Sequence, residues 1–312
     1  MRVDRWFKAH YPGVGFGALQ KLLRSGQVRV DGGRVKAQTR LEAGQTVRVP
    51  PLDDGAERPR HVTANTIRDR TDDDVLRAML LHEDPQVLVF NKPSGLAVQG
   101  GSGVARSVDG MLEAWRDRKG QKPRLVHRLD RDTSGALVVA RTRGAAQRLT
   151  KAFRERDTRK VYWALVFGTP GKREGRISTY LLREPTPEGD RMRVARHGEA
   201  GADHAVSHYR TVDSNPRSVS WLELVPETGR THQLRVHAQS IGHPIVGDNK
   251  YVDEAGREPP GGVQHRLHLH ARRIVIPHPS GDGSLDVTAP LSPHMQQTWN
   301  LLGFDETEAD AD

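Results

Sequence analysis

Residues 127–135 read His-Arg-Leu-Asp-Arg-Asp-Thr-Ser-Gly and place two carboxylates and two guanidinium groups within five positions. Apolar residues flank this charged stretch, Leu125–Val126 before it and Ala136–Ala140 after it. Short apolar runs bounded by turn residues are typical of buried strands. The stretch therefore predicts a charged loop between two strands, and it raises the question of what Asp130 does there.

Three interpretations of Asp130 are open from the residues alone. The first is a structural ion pair with Arg128 or Arg131, because charged turns are common. The second is a hydrolase triad with His127 and Ser134, but Ser134 lies in a turn and not in a G-x-S-x-G elbow. The third is a catalytic carboxylate, which must be ionised, oriented and partly shielded from water. An arginine beside it would supply that orientation.

Two later segments carry further candidates. In the strand-like run Arg159–Val166, Lys160 and Tyr162 share one face. Tyr162 is either a half-buried strand tyrosine or a ring that stacks on an unpaired base. In the segment Glu227–His237, Thr231 is a candidate N-cap and Arg235 falls in the first turn of the helix. A cation is unfavourable at a helix N-terminus, so Arg235 is either a surface residue or one that faces an anion.

Composition limits the class of protein. The 312 residues are enough for two domains, and the chain has no cysteine, which excludes disulfides and thiolate metal sites and fits the cytoplasm. The charged N-terminus does not resemble a signal peptide, and no run of 18 apolar residues predicts a membrane span. The net charge is +9, and residues 1–50 hold ten Lys or Arg against three Asp or Glu. Such a basic segment indicates a polyanionic partner.

Hydrophobic periodicity predicts a domain over residues 1–51, a linker over 52–72, a second domain over 73–303 and a disordered acidic tail over 304–312. The first domain is expected to contain helices 4–10 and 17–25 and strands 27–31, 34–36 and 46–49. The second is expected to contain helices 74–81, 105–118, 143–155 and 231–241, and strands 86–90, 136–140, 161–167, 205–210, 219–225, 272–276 and 285–288. This irregular mixture indicates an α+β fold.

Cofactor motifs are absent from the sequence, which has neither a phosphate-binding P-loop nor a dinucleotide-binding glycine motif. His265, His268 and His270 are clustered, and two of them would share a strand face. No cysteine or nearby carboxylate completes a metal site, so packing or RNA-facing histidines are the favoured interpretation. We therefore predict no cofactor and no metal.

Six ordered segments resemble the RluA-type pseudouridine synthase family, over about residues 76–290. They are NKPSGLAV (91–98), HRLDRDTSG (127–135), KVYWALV (160–166), TGRTHQLRVH (228–237), GHPIVGD (242–248) and LHLHA (267–271). Residues 1–51 resemble an S4 RNA-binding domain, through KLLRSGQVRVDG and LEAGQTVRVPP. The stretch NKPSGLAVQGGSG (91–103) and the RVPP end of the first domain (48–51) are most similar to the RluC branch of the family, which modifies large-subunit rRNA.

The resemblance implies a mixed, largely antiparallel central sheet with flanking helices, preceded by a small α-L-like S4 domain. It implies cofactor-independent isomerisation of uridine to pseudouridine in structured RNA. Asp130 would be the catalytic carboxylate, Arg235 its partner and Tyr162 the ring against the target base, while Arg128 would fill the gap left by the flipped uridine. The other RNA-binding residues would be Lys21, Arg24, Arg29, Arg34, Lys160, Arg230 and His232.

The expected partner is large-subunit rRNA or its assembly intermediates, without a membrane and without an obligate protein partner, and a monomer is expected. One rival is a non-catalytic RNA-binding factor that retains the synthase sequence. A second rival is a nucleoside glycosidase, which normally needs a pair of carboxylates that Asp130 and Asp132 would supply. The residues leave open whether Asp130 attacks the base, attacks the sugar or acts as a base.

Overall fold

The computed structural model describes residues 1–11, 16–42, 44–50, 71–101, 104–186, 191–215 and 219–310. Its backbone divides the chain into two compact units, residues 1–60 and 61–312. The predicted linker, 52–72, lies outside the described residues apart from its last two. Those two begin a helix, because the Thr71 side chain accepts a hydrogen bond from the backbone N–H of Asp74 and so caps it.

The first unit contains two helices and a three-stranded antiparallel sheet with strand order β2-β1-β3. Its elements are α1 (Val3–His10), α2 (Phe16–Arg24), β1 (Arg29–Val30), β2 (Gly33–Arg34) and β3 (Val47–Arg48). The strands are shorter than predicted, but the helices agree closely. The apolar positions with helical spacing are buried in one core, which includes Phe7, Leu19 and Leu23.

The second unit is built on one sheet of eleven strands. Its elements are α3 (Asp72–Met79), β4 (Leu80–Glu83), β5 (Val87–Lys92), α4 (Val108–Met111), β6 (Arg124–Leu125), β7 (Ser134–Ala140), α5 (Arg143–Glu155), β8 (Arg159–Phe167), β9 (Glu174–Glu184), β10 (Arg191–Ala195), β11 (Asp203–Asn215), β12 (Val219–Pro226), α6 (Gln233–Ser240), β13 (Leu269–Pro277), β14 (Ser284–Thr288) and α7 (Pro293–Leu302). None of the helices in the described part of the chain has the length and apolar character that a membrane span requires.

The strand order is β10-β9-β11-β12-β8-β13-β7-β5-β4, with β14 paired to β13 and β6 paired to β7. Among the paired strands that are described, β7 and β13 form the single parallel pair. The predicted α+β fold with a mixed, largely antiparallel sheet is therefore confirmed. The sheet is covered by apolar clusters, of which one contains the mutually packed rings of Trp163, Trp221 and Trp299.

Several local predictions were wrong. The helix predicted over 105–118 is the short α4 followed by a 3-10 turn, Leu112–Trp115. Strand β4 begins where helix 74–81 was expected to continue, and β9, β10 and α7 were not predicted. Strand β9 alternates apolar and polar residues over few positions, so its period of two is a weak signal.

The acidic tail was also predicted wrongly. Instead of disorder, Glu306–Asp310 forms a 3-10 helix, and the side chains of Phe304 and Ala309 are buried. The guanidinium of Arg272 lies 2.9 Å from the carboxylate of Glu306. Two apolar anchors and a basic partner on the sheet thus offset the repulsion within the acidic segment.

Gly135 sets the distance between the two parallel strands. It ends the charged stretch, has a φ of +109°, and packs so closely on β13 that a Cβ atom would overlap the carbonyl of Ala271. Glycine alone tolerates both this backbone conformation and this approach. The loop that carries Asp130 is therefore anchored at its end by a residue without a side chain.

We expect Gly135→Ala to lower the free energy of unfolding by at least about 3 kcal/mol, because strain and overlap add. The matched control is Gly281→Ala, at a φ of +98° with no atom within 4 Å of the added Cβ. The control substitution introduces backbone strain without overlap, so it should lower the free energy of unfolding by about 1 kcal/mol. Urea unfolding of both variants measures the difference, and equal losses would contradict the role of the close approach.

Candidate active site

A pocket of about 100 Å³ opens beside the loop that joins β6 to β7. Its walls come from that loop, from strand β8 and from the segment that leads into α6. Residues from all three segments of the sequence prediction line it, including Arg128, Asp130, Lys160, Tyr162, His232 and Arg235. The pocket therefore gathers side chains that lie far apart in the chain, and it has room for one planar ring.

The Asp130 carboxylate has two unequal oxygens. Oδ2 lies 3.5 Å from Nη1 of Arg235 and 3.9 Å from Nε2 of His232. Among the described residues, none donates a hydrogen bond to Oδ1. The side chain is 24% exposed, so it is accessible from the pocket without being freely solvated. One oxygen is thus oriented by its neighbours while the other is open to a ligand.

A local ion pair does not explain Asp130, so that interpretation was wrong. The Arg128 guanidinium donates from Nη2 to Oγ1 of Thr231, at 3.1 Å. The Arg131 guanidinium donates from Nε to the carbonyl of Gly95, at 3.2 Å. Both arginines beside Asp130 in sequence therefore bind groups on other segments.

Arg235 is held by a second acid that the sequence interpretation did not include. Its Nε and Nη2 donate to Oδ2 and Oδ1 of Asp248, both at 2.7 Å, which leaves Nη1 for Asp130. The side chains of Arg235 and Asp248 are only 5% and 0% exposed, so a surface arginine is ruled out. Burial alone would raise the pKa of Asp248, but the hydrogen bonds and charge of Arg235 outweigh it and hold that pKa below its usual value.

Tyr162 lies half-buried on β8, with one face against an apolar cluster that includes Leu224 and Leu269. Burial, and then the negative charge of Asp130, raises the pKa of Tyr162 far above its ordinary value. The phenol is therefore neutral near pH 7. The ring also lines the pocket, where a flat apolar surface suits a planar ligand.

Lys160 is a half-buried cation at the same pocket. Burial, and then the charge of Arg156, lowers its pKa below the usual value for lysine. No carboxylate or carbonyl of the described residues pairs with its ammonium group. A cation that is partly removed from water and has no anion beside it is destabilised, so this position favours an anionic ligand.

The chain is similar to proteins of known family. Residues 86–240 match the family model described as RNA pseudouridylate synthase. The ribosomal large subunit pseudouridine synthases C of Pasteurella multocida and Escherichia coli are 37% and 36% identical to the chain. Each alignment covers 96% of this chain, and 90% and 92% of those proteins. The chain belongs to the RNA pseudouridylate synthase family.

Other relatives agree with this assignment, which confirms the RluA-type resemblance. RNA pseudouridine synthase 4, mitochondrial, of Arabidopsis thaliana is 36% identical over 96% of this chain and 78% of its own length. The solved structure of human RNA Pseudouridylate Synthase Domain Containing 4 superposes with a TM-score of 0.62, at 28% identity. That match covers 74% of this chain and 95% of the human chain.

Lys92 of the synthase was missed by the sequence interpretation. Its side chain is fully buried, and Nζ donates to the carbonyls of Pro93, Leu96 and Arg131 at 2.8 to 3.1 Å. Burial lowers the pKa of Lys92 to about 7. Because three donors meet three acceptors, the ammonium ties the Asp130 loop to the 93–96 turn. Lys92 belongs to the segment NKPSGLAV (91–98), which carries the family resemblance, but the segment's pattern predicts no role for this lysine.

The hydrolase triad is wrong for this synthase. His127 accepts a hydrogen bond at Nε2 from the backbone N–H of Val138, at 2.8 Å, and burial lowers its pKa to about 3. Ser134 is fully buried and lies 2.9 Å from Nδ1 of His270. Neither side chain is directed to Asp130, so the serine and the histidine are structural.

The clustered histidines are also structural where they are buried. His268 and His270 have no exposed surface, and their Nε2 atoms lie 2.9 Å from Thr298 Oγ1 and 3.2 Å from the carbonyl of Ala289. His265 is exposed. No group of three or more possible metal ligands occurs among the described residues.

The remaining site predictions have mixed outcomes in the synthase. Thr231 does not cap α6, because His232 occupies the N-cap position and Thr231 binds Arg128 instead. Arg230 lines the pocket and donates from Nε to the carbonyl of His204. The predicted RNA-binding residues Lys21, Arg24, Arg29 and Arg34 all belong to the first unit.

Proposed function

We propose that this synthase isomerises uridine to pseudouridine in large-subunit rRNA, with Asp130 as the catalytic carboxylate. The observation that supports this most strongly is the arrangement of the two Asp130 oxygens. Arg235 orients Oδ2, and Oδ1 is open at a pocket with room for one base. The named activity of the relatives from Pasteurella multocida and Escherichia coli supports the choice of rRNA.

The chemistry explains why one carboxylate is enough. The bond from C1′ to N1 of uracil breaks, a bond from C1′ to C5 forms, the proton on C5 is lost and N1 gains a proton. The mass is unchanged and no electrons are transferred to another molecule. The reaction needs an anionic oxygen next to the nucleoside, and exclusion of water while the base is detached. Asp130 supplies the oxygen, and the partly buried pocket supplies the exclusion.

The other lining residues have complementary proposed roles. Tyr162 would pack against the flipped uracil, because its neutral ring presents an apolar face. Lys160 would pair with a phosphate near the target, which supplies the anion that this half-buried ammonium lacks. Arg128, exposed at the mouth of the pocket, would stack in the place that the base has left.

The first unit is proposed to bind RNA as an S4 domain. Arg34, Arg29 and Arg48 lie directly opposite one another across the three strands, so three guanidinium groups share one face. Like charges in opposed positions destabilise a sheet unless an anion compensates them. Lys21 and Arg24, exposed in the last turn of α2, would add to this basic surface.

We expect Arg34→Gln combined with Arg48→Gln to weaken RNA binding and to reduce the salt dependence. Each lost phosphate contact lowers the slope of log K against log[salt] by about 0.7 to 0.9, so the pair should lower it by about 1.5. Filter binding at several salt concentrations measures the slope. The control Arg5→Gln changes an exposed arginine on α1 of the same unit. An unchanged slope in the double variant would contradict RNA binding by this sheet.

The proposed function is tested with RNA labelled with tritium at C5 of uridine. Conversion to pseudouridine releases tritium to water and leaves the mass of the unlabelled RNA unchanged. We expect release from large-subunit rRNA transcripts, and much less from small-subunit rRNA or tRNA. Free uracil would indicate the glycosidase, and absence of release with retained binding would indicate the non-catalytic RNA-binding factor. Pseudouridine mapping in cells that lack the protein would then locate the target.

We also propose a cytoplasmic location and a monomeric state. The cysteine-free composition fits the cytoplasm. A monomer is also proposed, since Asp130 and the side chains that orient it belong to the same chain and the proposed chemistry needs no second copy. Sedimentation of the purified protein with and without RNA tests the second point, and a dimer in both samples would contradict it.

A further inference from the structure

His232 has an unusual backbone for its position. It directly precedes α6 with φ 53° and ψ 16°, a left-handed conformation that only a few per cent of non-glycine residues adopt, most often Asn, Asp or His. Such strain costs of order 1 kcal/mol and persists where the surroundings require the residue. The side chain is 14% exposed and its Nε2 lies 3.9 Å from Oδ2 of Asp130. The imidazole is thus held beside the proposed catalytic group.

The hydroxyl of Tyr251 determines which ring nitrogen of His232 carries the proton. Tyr251 is fully buried, and its Oη accepts a hydrogen bond from the backbone N–H of Met192, at 2.9 Å. The same Oη lies 2.9 Å from Nδ1 of His232. Among the described residues, this nitrogen is the acceptor available to the hydroxyl proton. A buried O–H is bonded wherever possible, so Nδ1 accepts and the proton of the neutral ring lies on Nε2.

Burial is the main reason why the ring of His232 is neutral. Burial lowers the pKa of His232 below 6.5, and the charges of Arg235 and Lys250 lower it further, against the opposing effect of Asp130 and Asp248. A neutral imidazole with one proton is a directional donor, and here the proton points to Asp130.

The segment 248–251 holds both side chains that lie beside Asp130, namely Arg235 and His232. Asp248 fixes Arg235 through the two 2.7 Å hydrogen bonds, and Tyr251, three residues later, fixes His232. The Oδ1 atom of Asp248 also accepts the backbone N–H of Tyr251, at 3.0 Å, so the two supports are joined. Gly247 allows this turn, since a Cβ there would overlap the carbonyl of Arg266 at a φ of +75°.

We propose that His232 is a positioning residue of the reaction, whose Nε2–H joins Nη1 of Arg235 in holding Oδ2 of Asp130, so that Oδ1 faces the uridine. This inference rests on the proposed function of Asp130. The present 3.9 Å is longer than a hydrogen bond, and a shift of about 1 Å on substrate binding completes it, as active-site hydrogen bonds commonly tighten in the complex.

Two substitutions separate positioning from folding. His232→Asn suits the left-handed backbone, and its amide oxygen can replace Nδ1 as the acceptor for Tyr251, but it does not reach Asp130. His232→Gln carries an N–H that reaches the place of Nε2. We expect His232→Asn to fold at least as stably as the wild type and to lose about ten- to a hundredfold in single-turnover rate, with RNA affinity unchanged. We expect His232→Gln to recover most of that rate.

The control is His265→Asn, which alters an exposed histidine and should leave the rate unchanged. A wild-type rate in His232→Asn would overturn the inference. So would a rate in His232→Gln as low as that of His232→Asn, because the N–H would then be irrelevant.

A measurement that does not depend on turnover tests the hydrogen-bond chain. Long-range proton–nitrogen NMR spectra of protein with ¹⁵N-labelled histidine distinguish the two neutral tautomers, and the His232→Gln spectrum identifies the signal. We expect the Nε2–H tautomer in the wild type at pH 7 and a mixture in Tyr251→Phe. An Nδ1–H tautomer or a protonated ring in the wild type would overturn the inference. If the tautomer is as expected but Asp130→Asn remains active, the proposed function is wrong, while the hydrogen bond from Tyr251 to His232 is still supported.

Discussion

Asp130→Asn is expected to lower pseudouridine formation by at least about a thousandfold while RNA binding stays nearly unchanged. The substitution keeps the shape of the side chain and removes the anion. Arg235 remains paired with Asp248 in the variant, so the buried guanidinium keeps its main counter-charge and the fold is retained. The loss would therefore report chemistry and not stability. Tritium release under single-turnover conditions, together with filter binding, measures the two properties separately.

Asp132→Asn is the matched control for this experiment. Asp132 lies two residues from Asp130 on the same loop, and it would be the second carboxylate of the glycosidase interpretation. In a synthase with a single catalytic carboxylate, this variant should retain most of its activity. Equal losses in the two variants would favour a carboxylate pair, and measurable wild-type turnover by Asp130→Asn would remove Asp130 from the mechanism.

The sequence predicted the candidate site better than the network that supports it. Asp130, Tyr162 and Arg235 were assigned roles because each lies in a segment that carries the family resemblance, and the structure places all three at one pocket. The support from Lys92 and Asp248 was not predicted. Lys92 reaches the carbonyl of Arg131, 39 positions away, and Asp248 reaches Arg235, 13 positions away, and periodicity carries no information about such contacts.

The fold was predicted in the same uneven way. Helix α5 was recognised because its apolar residues follow the helical period over 13 residues, and strand β7 because it is a continuous apolar run that follows turn residues. Strand β10, with five residues, is too short for its period to be detected. The tail was misread for a different reason, since its charge suggested disorder while Phe304 and Ala309 pack onto the sheet domain. Tertiary packing overrode the composition there.

Arg235→Lys is expected to reduce turnover by at least about a hundredfold and to destabilise the protein by about 2–3 kcal/mol. Lysine keeps the positive charge, but one ammonium cannot make two parallel hydrogen bonds to Asp248 and also reach Asp130. The loss therefore depends on the geometry of the guanidinium. Tritium release and urea unfolding at pH 7 measure the two effects.

Arg273→Lys is the control, because Arg273 forms the same two-bonded pair with Asp286 on the surface, where both side chains are 43% exposed. An exposed pair contributes about 0–1 kcal/mol, and the activity should be unchanged. Similar losses in the two lysine variants would show that burial beside Asp130 is irrelevant.

The stability difference between the wild type and Arg235→Lys should also depend on pH. The pKa of Asp248 is lowered in the folded protein, so its contribution is present above the unfolded value of about 3.9 and is lost as the pH falls through the folded value. In the lysine variant the folded pKa of Asp248 lies closer to the unfolded one, so less stability is lost on acidification. The difference measured at pH 7 should therefore shrink when unfolding is repeated near pH 3. A difference that is constant between the two pH values would mean that the pair with Asp248 does not stabilise the arginine, and that another contact directs Nη1 to Asp130.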